Sequence, residues 1–249
     1  MTSLKLLDSL ERPSRAAVIG ASGGIGRAVT ELLAGEGFEA VHALSRGGLG
    51  SGDQGGRTGV IDIEHEPSIA AAAEGLRDSA PLRFVLVATG LLHAADHHPE
   101  KTYRSLDANV LAKSFHVNAI GPALVAKHML PLLPRSGKSI FAVISARVGS
   151  IEDNRLGGWY SYRASKAALN QIVRTLAIEL RRQKPDAICV ALHPGTVDTA
   201  LSQPFQGGVD TGKLFAPAYS AERLLAVLDA LSAADSGGFF AWDGKRIPF

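Results

Sequence analysis

Short apolar runs bounded by Gly, Pro or polar residues alternate along this chain with longer stretches of helical pattern, and that alternation limits the fold more than any other feature. "RAAVIG" (15–20) reads as a strand, followed by a helix over 24–36. "FEAVHAL" (38–44) and "TGVIDI" (58–63) read as the next two strands, with an Ala-rich helix at 67–78 behind them. "RFVLVAT" (83–89), "SIFAVIS" (139–145), "AICVALH" (187–193) and the short "GFFAW" (238–242) continue the series. Strands separated by helices pair in parallel through right-handed crossovers, and a parallel sheet needs cover on both faces. The expected fold is α/β: a doubly wound parallel sheet of about seven strands with helices on both faces, one domain over residues 1–249. The stretch 47–59 holds seven glycines in thirteen residues, but strands continue on both sides of it. It therefore reads as a surface loop within that domain and not as a linker.

Composition narrows the function classes. At 249 residues, 46% hydrophobic and 20% charged, the chain has an ordinary globular make-up and enough length to bury a core. A net charge of +2 offers no basis for nucleic acid or an anionic membrane as partner. No run approaches ~18 apolar residues, and Asp8 and Glu11 interrupt the leucines of "MTSLKLLDSLERPSR", unlike the apolar core of a signal peptide. The single Cys189 cannot form an intrachain disulfide, which fits a reducing compartment, and its apolar run reads as a buried strand carrying a core thiol. A cytoplasmic location is expected.

"VIGASGGIGRAV" sits where the first strand passes into the first helix. Glycines at 20, 24 and 26 remove side chains so that backbone can approach a pyrophosphate, and the helix N-terminus adds partial positive charge. A merely tight turn would use the same residues. The strand–turn–helix context favours dinucleotide binding on a Rossmann-type sheet, with the spacing Gly-x-x-x-Gly-x-Gly. The second strand runs into "HALSRGG", where an acidic residue would bind the ribose hydroxyls of NAD. Ser45 and Arg46 stand there instead, a hydroxyl and a fixed cation suited to phosphate oxygens, so NADP(H) is expected in preference to NAD(H). An arginine simply solvated after a strand is the plainer alternative. Asp62, at the end of the third strand, suits either an adenine amino group or the cap of the next helix.

"GGWYSYRASKAALN" (157–170) carries two tyrosines and one lysine at the start of a segment, Ser161 to Gln183, that reads as a helix. Tyr162 and Lys166 are four apart and share a face, whereas Tyr160 does not. A phenol with a free pKa near ~10 donates its proton poorly at neutral pH unless a cation stabilises the phenolate. Lys166 can supply one. The same spacing also describes an ordinary surface pair.

Together these pieces resemble the short-chain dehydrogenase/reductase family over nearly the whole chain. "GASGGIG" matches its cofactor turn, which implies Gly20, Ser22, Gly24, Ile25 and Gly26 at the dinucleotide. "VATG" keeps the final glycine, Gly90, of the family's Asn-Asn-Ala-Gly. "HVNAIGP" supplies Asn118, the helix-kink asparagine, followed by Gly121 and Pro122. "YRASK" holds the Tyr–Lys pair, and "HPGTVDT" matches the segment lining the nicotinamide, implying Pro194, Gly195, Val197 and Thr199 there. The stretch from "SARVG" to "KAALN" is most similar to the C-factor and sniffer-type carbonyl reductases. The resemblance implies that Tyr162 protonates the oxygen of a carbonyl substrate, that Lys166 lowers its pKa and holds the nicotinamide ribose, and that Asn118 carries a proton-relay water. It also implies a small-molecule carbonyl or alcohol substrate and a homodimer or homotetramer. The small-residue face Ala164, Ala167, Ala168 resembles the family's pairing surface, although close packing on the sheet would use the same residues.

One motif departs from the family. Where Ser-Ser-x-x-Gly is usual, "SARVG" puts Ala146 at the position of the serine that polarises the carbonyl. Ser145, the nearest hydroxyl, is expected to take that role, since Ser150 lies well beyond the strand; a backbone group is the alternative. The departure keeps open a second function, an NADP-binding sensor with a vestigial catalytic motif. A methyltransferase would leave the Tyr–Lys pair without a job. "LLHAADHHPE" spaces His93 and His97 by four but lacks a matching Cys or carboxylate cluster, so no metal site is expected. Residues 200–217 read as a substrate lid.

Overall fold

The computed structural model describes residues 6–48, 57–77, 80–94, 98–208 and 211–249. In chain order its elements are β1 (Arg15–Ile19), α1 (Gly24–Leu33), β2 (Ala40–Ser45), β3 (Arg57–Val60), α2 (Glu66–Glu74), β4 (Leu82–Val87), α3 (Ala108–Phe115), α4 (Gly121–Met129), β5 (Ser139–Ile144), α5 (Tyr160–Gln183), β6 (Ala187–His193), β7 (Thr196–Val197), β8 (Leu214–Phe215), α6 (Pro217–Ala230) and β9 (Phe239–Ala241). Seven strands form one sheet in the order β3-β2-β1-β4-β5-β6-β9, every neighbouring pair parallel. β7 and β8 make a separate parallel pair. The order reverses at β1, between β2 and β4, and such a switch leaves a crevice outside the strand C-termini.

Strand periodicity builds the two layers. In β6, Ala187, Cys189 and Ala191 pack with α2, α4 and α5, whereas Ile188, Val190 and Leu192 pack with α1 and α6. Leu6, Leu7 and Leu10 join the second layer. Beyond β9 the chain turns back: Ala241 N–H donates to Lys245 O at 2.8 Å and Ile247 N–H to Phe239 O at 2.8 Å. No helix among the described residues is long and apolar enough to cross a membrane.

Boundaries differ locally from the sequence reading. The third strand spans 57–60 and not 58–63, because Asp62 Oδ1 accepts the Glu64 N–H at 3.0 Å and turns the chain. Arg57 to Gly59, assigned to the glycine-rich loop, therefore lie in β3, and residues 49–56 of that loop are outside the described ones. The 67–78 helix is shorter, Glu66–Glu74, with Gly75 at its end. Within 200–217, β8 hydrogen-bonds to β7, so the lid segment is tied to the sheet's C-terminal edge.

Candidate active site

The crevice is a cleft of about 680 Å³ running from the glycine turn to α5. At its first end Gly20 adopts φ +87°, and a Cβ on Gly26 would lie 2.3 Å from Gly20 O, so the turn closes only without side chains. Ser22, Gly24 and Ile25 line the cleft; Gly26 does not, because it backs the turn. Gly23, the N-cap of α1, makes no side-chain cap bond, and the helix has no acidic residue in its first turn. Its uncapped N–H groups and helix dipole suit an anion. Thr199 packs over this turn: a Cβ on Gly24 would lie 2.5 Å from its methyl. Thr89 Oγ1, at the cleft wall, is a buried hydroxyl with no partner among the described residues.

Beside the turn, Arg46 is 76% exposed, with a guanidinium nitrogen 3.7 Å from Glu64 Oε1. Glu64, which the sequence reading passed over, also pairs with Lys113 and lines the cleft. Ser45 also lines the cleft, but it is buried and its hydroxyl donates to Gly48 O at 3.0 Å, holding the turn after β2. Asp62 lines the cleft but is not the cap of α2, a place taken by His65.

At the far end stands α5, whose start has no local cap. Gly157, Gly158 and Trp159 are all left-handed, at φ +63°, +65° and +52°. The Glu100 carboxylate closes the helix from a distant loop, accepting from Ser161 N–H at 3.1 Å and from the Ser161 hydroxyl. This start buries Tyr162 at 8% exposure and leaves Tyr160 at 37%. Lys166, buried one turn on, donates through Nζ to Ile144 O at 2.8 Å and lies 5.9 Å from the Tyr162 ring centre. Both residues line the cleft, with Gly90, Pro194, Gly195 and Val197.

Burial dominates the titration here. It pulls the Lys166 ammonium down to about 7 and raises the Tyr162 phenol above its ordinary range. The Lys166 Nζ is bonded to a carbonyl, and burial disfavours its charge. Asn118 sits in a π-turn, His116–Ile120, between α3 and α4. It does not reach the cleft. Fully buried, it accepts from Leu91 N–H and donates to Leu91 O, both at 2.8 Å, and donates to Ser165 Oγ at 3.0 Å, clasping the loop after Gly90 to α5.

Ser145 is held by a partner that the sequence did not point to. It reaches the cleft wall, but its hydroxyl donates to Asn170 Oδ1 at 2.7 Å, eight residues along α5 from Tyr162. The regular β5–β6 pairing up to Ile144–Leu192 leaves no bulge to turn it toward the tyrosine. Ser150 is buried and accepts the Asp153 N–H at 3.1 Å. Two further features went unread in the sequence. His193, directly before Pro194, lines the cleft, and burial together with the Arg147 cation pulls its imidazole down to about 4. An aromatic wall stands beside Tyr162, with Trp159 and Phe205 ring centres 5.2 Å apart. His93 belongs to this wall, 5.5 Å from Phe205, and His97 lies outside the described residues. Among the described residues no three His, Cys, Asp or Glu side chains group as metal ligands.

A parallel sheet with a glycine turn at its switch point and a buried Tyr–Lys pair across one cleft defines a nucleotide-dependent oxidoreductase, and residues 14–208 match the family of short chain dehydrogenases. The chain belongs to that family and is an NAD(P)-dependent short-chain dehydrogenase/reductase. It is similar to the C-signal of Myxococcus xanthus, 40% identical over 139 residues, covering 56% of this chain and 78% of that one. The 1-hydroxy-2-glutathionyl-2-methyl-3-butene dehydrogenase of Rhodococcus sp. (strain AD45) is 28% identical over 235 residues, 92% of this chain and 97% of its own. Among solved structures, the NADPH-bound carbonyl reductase from chicken fatty liver superposes with a TM-score of 0.77 at 28% identity, covering 96% of this chain and 100% of that one.

Proposed function

We propose that the protein is an NADP(H)-dependent oxidoreductase interconverting a carbonyl compound and its alcohol, with Tyr162 as general acid and base. One observation carries the reading: the glycine turn and the buried Tyr162–Lys166 pair line the same cleft. The residues fit a dinucleotide. The side-chain-free turn and uncapped α1 N-terminus would hold the pyrophosphate, and Arg46 a 2′-phosphate. Asp62 would take the adenine amino group, Lys166 the ribose hydroxyls and Thr199 the carboxamide. When bound, the nicotinamide supplies or takes up the hydride.

The chain's own residues do the rest. Tyr162 holds its proton at neutral pH, so in reduction Oη gives that proton to the substrate oxygen. Lys166 Nζ, fixed by Ile144 O, sets a potential ammonium one helical turn away to receive the phenolate charge. Trp159 and Phe205 shelter the reacting oxygen from water and favour a flat, apolar substrate. The chicken enzyme, a carbonyl reductase with NADPH bound, supports the choice of substrate class and cofactor. A binding-only sensor is not favoured, since the buried Tyr–Lys pair would then have no task.

The test follows NADPH oxidation over a panel of aldehydes and ketones. Tyr162→Phe should abolish turnover while NADPH still binds, because only a hydroxyl is lost, and Tyr160→Phe should keep most of it. Equal losses in the two variants would overturn the assignment. The same reading makes the protein a cytoplasmic homodimer or homotetramer, with the partly exposed Ala164, Ala167 and Ala168 of α5 as its pairing face, which sedimentation would check.

A further inference from the structure

We infer that His193 supplies the second hydrogen bond to the substrate oxygen, through Nε2–H, in place of the serine this chain lacks; the inference rests on the carbonyl-reducing reading above. Reduction builds negative charge on that oxygen, and a donor besides the acid is needed to hold it. Ala146 has none. The Ser145 proton belongs to Asn170, and the Arg147 guanidinium is paired with Asp153 at 3.2 Å.

Three observations place His193 for the task. The first is phase: Ala187, Cys189 and Ala191 of β6 face α5, so His193, the next in step, faces it too. The second is level. Cys189 Sγ touches Val173 O of α5 at 3.8 Å. Four strand residues further on is about 13 Å, or roughly nine residues back along an antiparallel helix, which falls between Tyr162 and Lys166. Ser145 N–H donates to Leu192 O at 2.7 Å, so His193 stands beside Ser145, directly before Ala146, and its side chain lines the cleft that Tyr162 lines.

The third is the tautomer. The Arg147 backbone N–H donates to His193 Nδ1 at 3.4 Å, which requires a lone pair on Nδ1. A neutral imidazole then carries its proton on Nε2, and Nε2 has no partner among the described residues. Burial and the Arg147 cation keep the ring neutral against the opposite pull of Asp243. The donor is thus the same from mildly acidic to alkaline pH. In the step itself Tyr162 gives up a proton to the oxygen, and His193 keeps its own.

The experiment uses the full chain with NADPH and para-nitrobenzaldehyde, a flat probe suited to the aromatic wall. His193→Ala should lower kcat by roughly 100-fold, the loss typical of one oxyanion donor, with NADPH affinity within about threefold of wild type. His193→Gln, whose amide nitrogen reaches the Nε2 position, should keep kcat within about tenfold. Nitrogen-15 spectra of the histidine rings should show His193 as the Nε2–H tautomer, shifted when para-nitrobenzyl alcohol and NADP⁺ are added. A His193→Ala enzyme as fast as wild type, a glutamine variant as slow as the alanine one, or an Nδ1–H tautomer would each overturn the proposal. Should His193→Ala fail to fold, the glutamine variant and the spectra decide it. A wild-type chain that oxidises no NADPH with any aldehyde or ketone would strike the carbonyl-reducing reading itself, and is read separately.

Discussion

At the scale of the residue, what decides each group's role is where its proton or charge is already spent. Among the described residues Arg46 pairs with Glu64 through an exposed contact at 3.7 Å, and its guanidinium stays open enough to meet a phosphate. Arg46→Asp should weaken NADPH by about 10- to 100-fold in titrations, as expected for lost charged hydrogen bonds, while NADH changes little or improves. Glu64→Gln should do the reverse on a smaller scale, tightening NADPH by up to about fivefold. Parallel losses of both cofactors in the Arg46 variant would make it a structural residue. The Tyr162–Lys166 pair was legible in the sequence because helical spacing is local. The fate of Ser145 was not: it depends on Asn170, which no spacing rule joins to it. His193 was equally silent, since its tautomer is set by a backbone N–H from a neighbouring strand end.

Among the elements, α5 carries most of the chemistry and borrows its cap from elsewhere. Trp159 offers no capping oxygen, and three left-handed residues precede the first turn, so Glu100 provides the acceptors. Glu100→Ala strands buried donors on Ser161 and should cost about 1–3 kcal/mol, read as an earlier urea midpoint, with a fall in kcat as the Tyr162 turn loosens. Glu100→Gln keeps one acceptor oxygen and should lose less. An alanine variant that unfolds with wild type would remove the cap from the account. The strands were readable to within a few residues, because each is a bounded apolar run. The third strand ended early through the Asp62 side chain, a local competition that hydrophobicity does not report. α3 and α4 went unread as elements: a π-turn breaks their periodicity, though the motif around Asn118 marked the place.

For the molecule as a whole, buried titratable groups tie stability to pH. Unfolded Lys166 keeps its proton up to about 10.5 but folded Lys166 only up to about 7, so between those values the unfolded chain binds more protons and stability rises with pH. His193 does the same between about 4 and 6.5. Cys189, pushed from 9.0 up to about 12, and Tyr162, raised above 10.0, act oppositely: unfolding releases their protons first, so stability falls above those ordinary values. Denaturation midpoints should therefore climb from pH 4 to 9 and decline above 10. Lys166→Met should flatten the climb between about 7 and 9. An unchanged slope in that variant would place the protons elsewhere. The parallel sheet itself was legible from the alternation of strands and helices. Its strand order was not, because crossovers fix handedness but leave open which neighbour a strand chooses.

The return of the chain after β9 has a consequence for crowded solutions. An open sheet ends in unpaired N–H and C=O groups that can template a strand from another molecule. Here one border is already filled, by Lys245 and Ile247 bonded back onto β9. The opposite border, β3, is four residues long and begins with an arginine. A hairpin of a few residues thus stands between this sheet and edge-to-edge growth into aggregates.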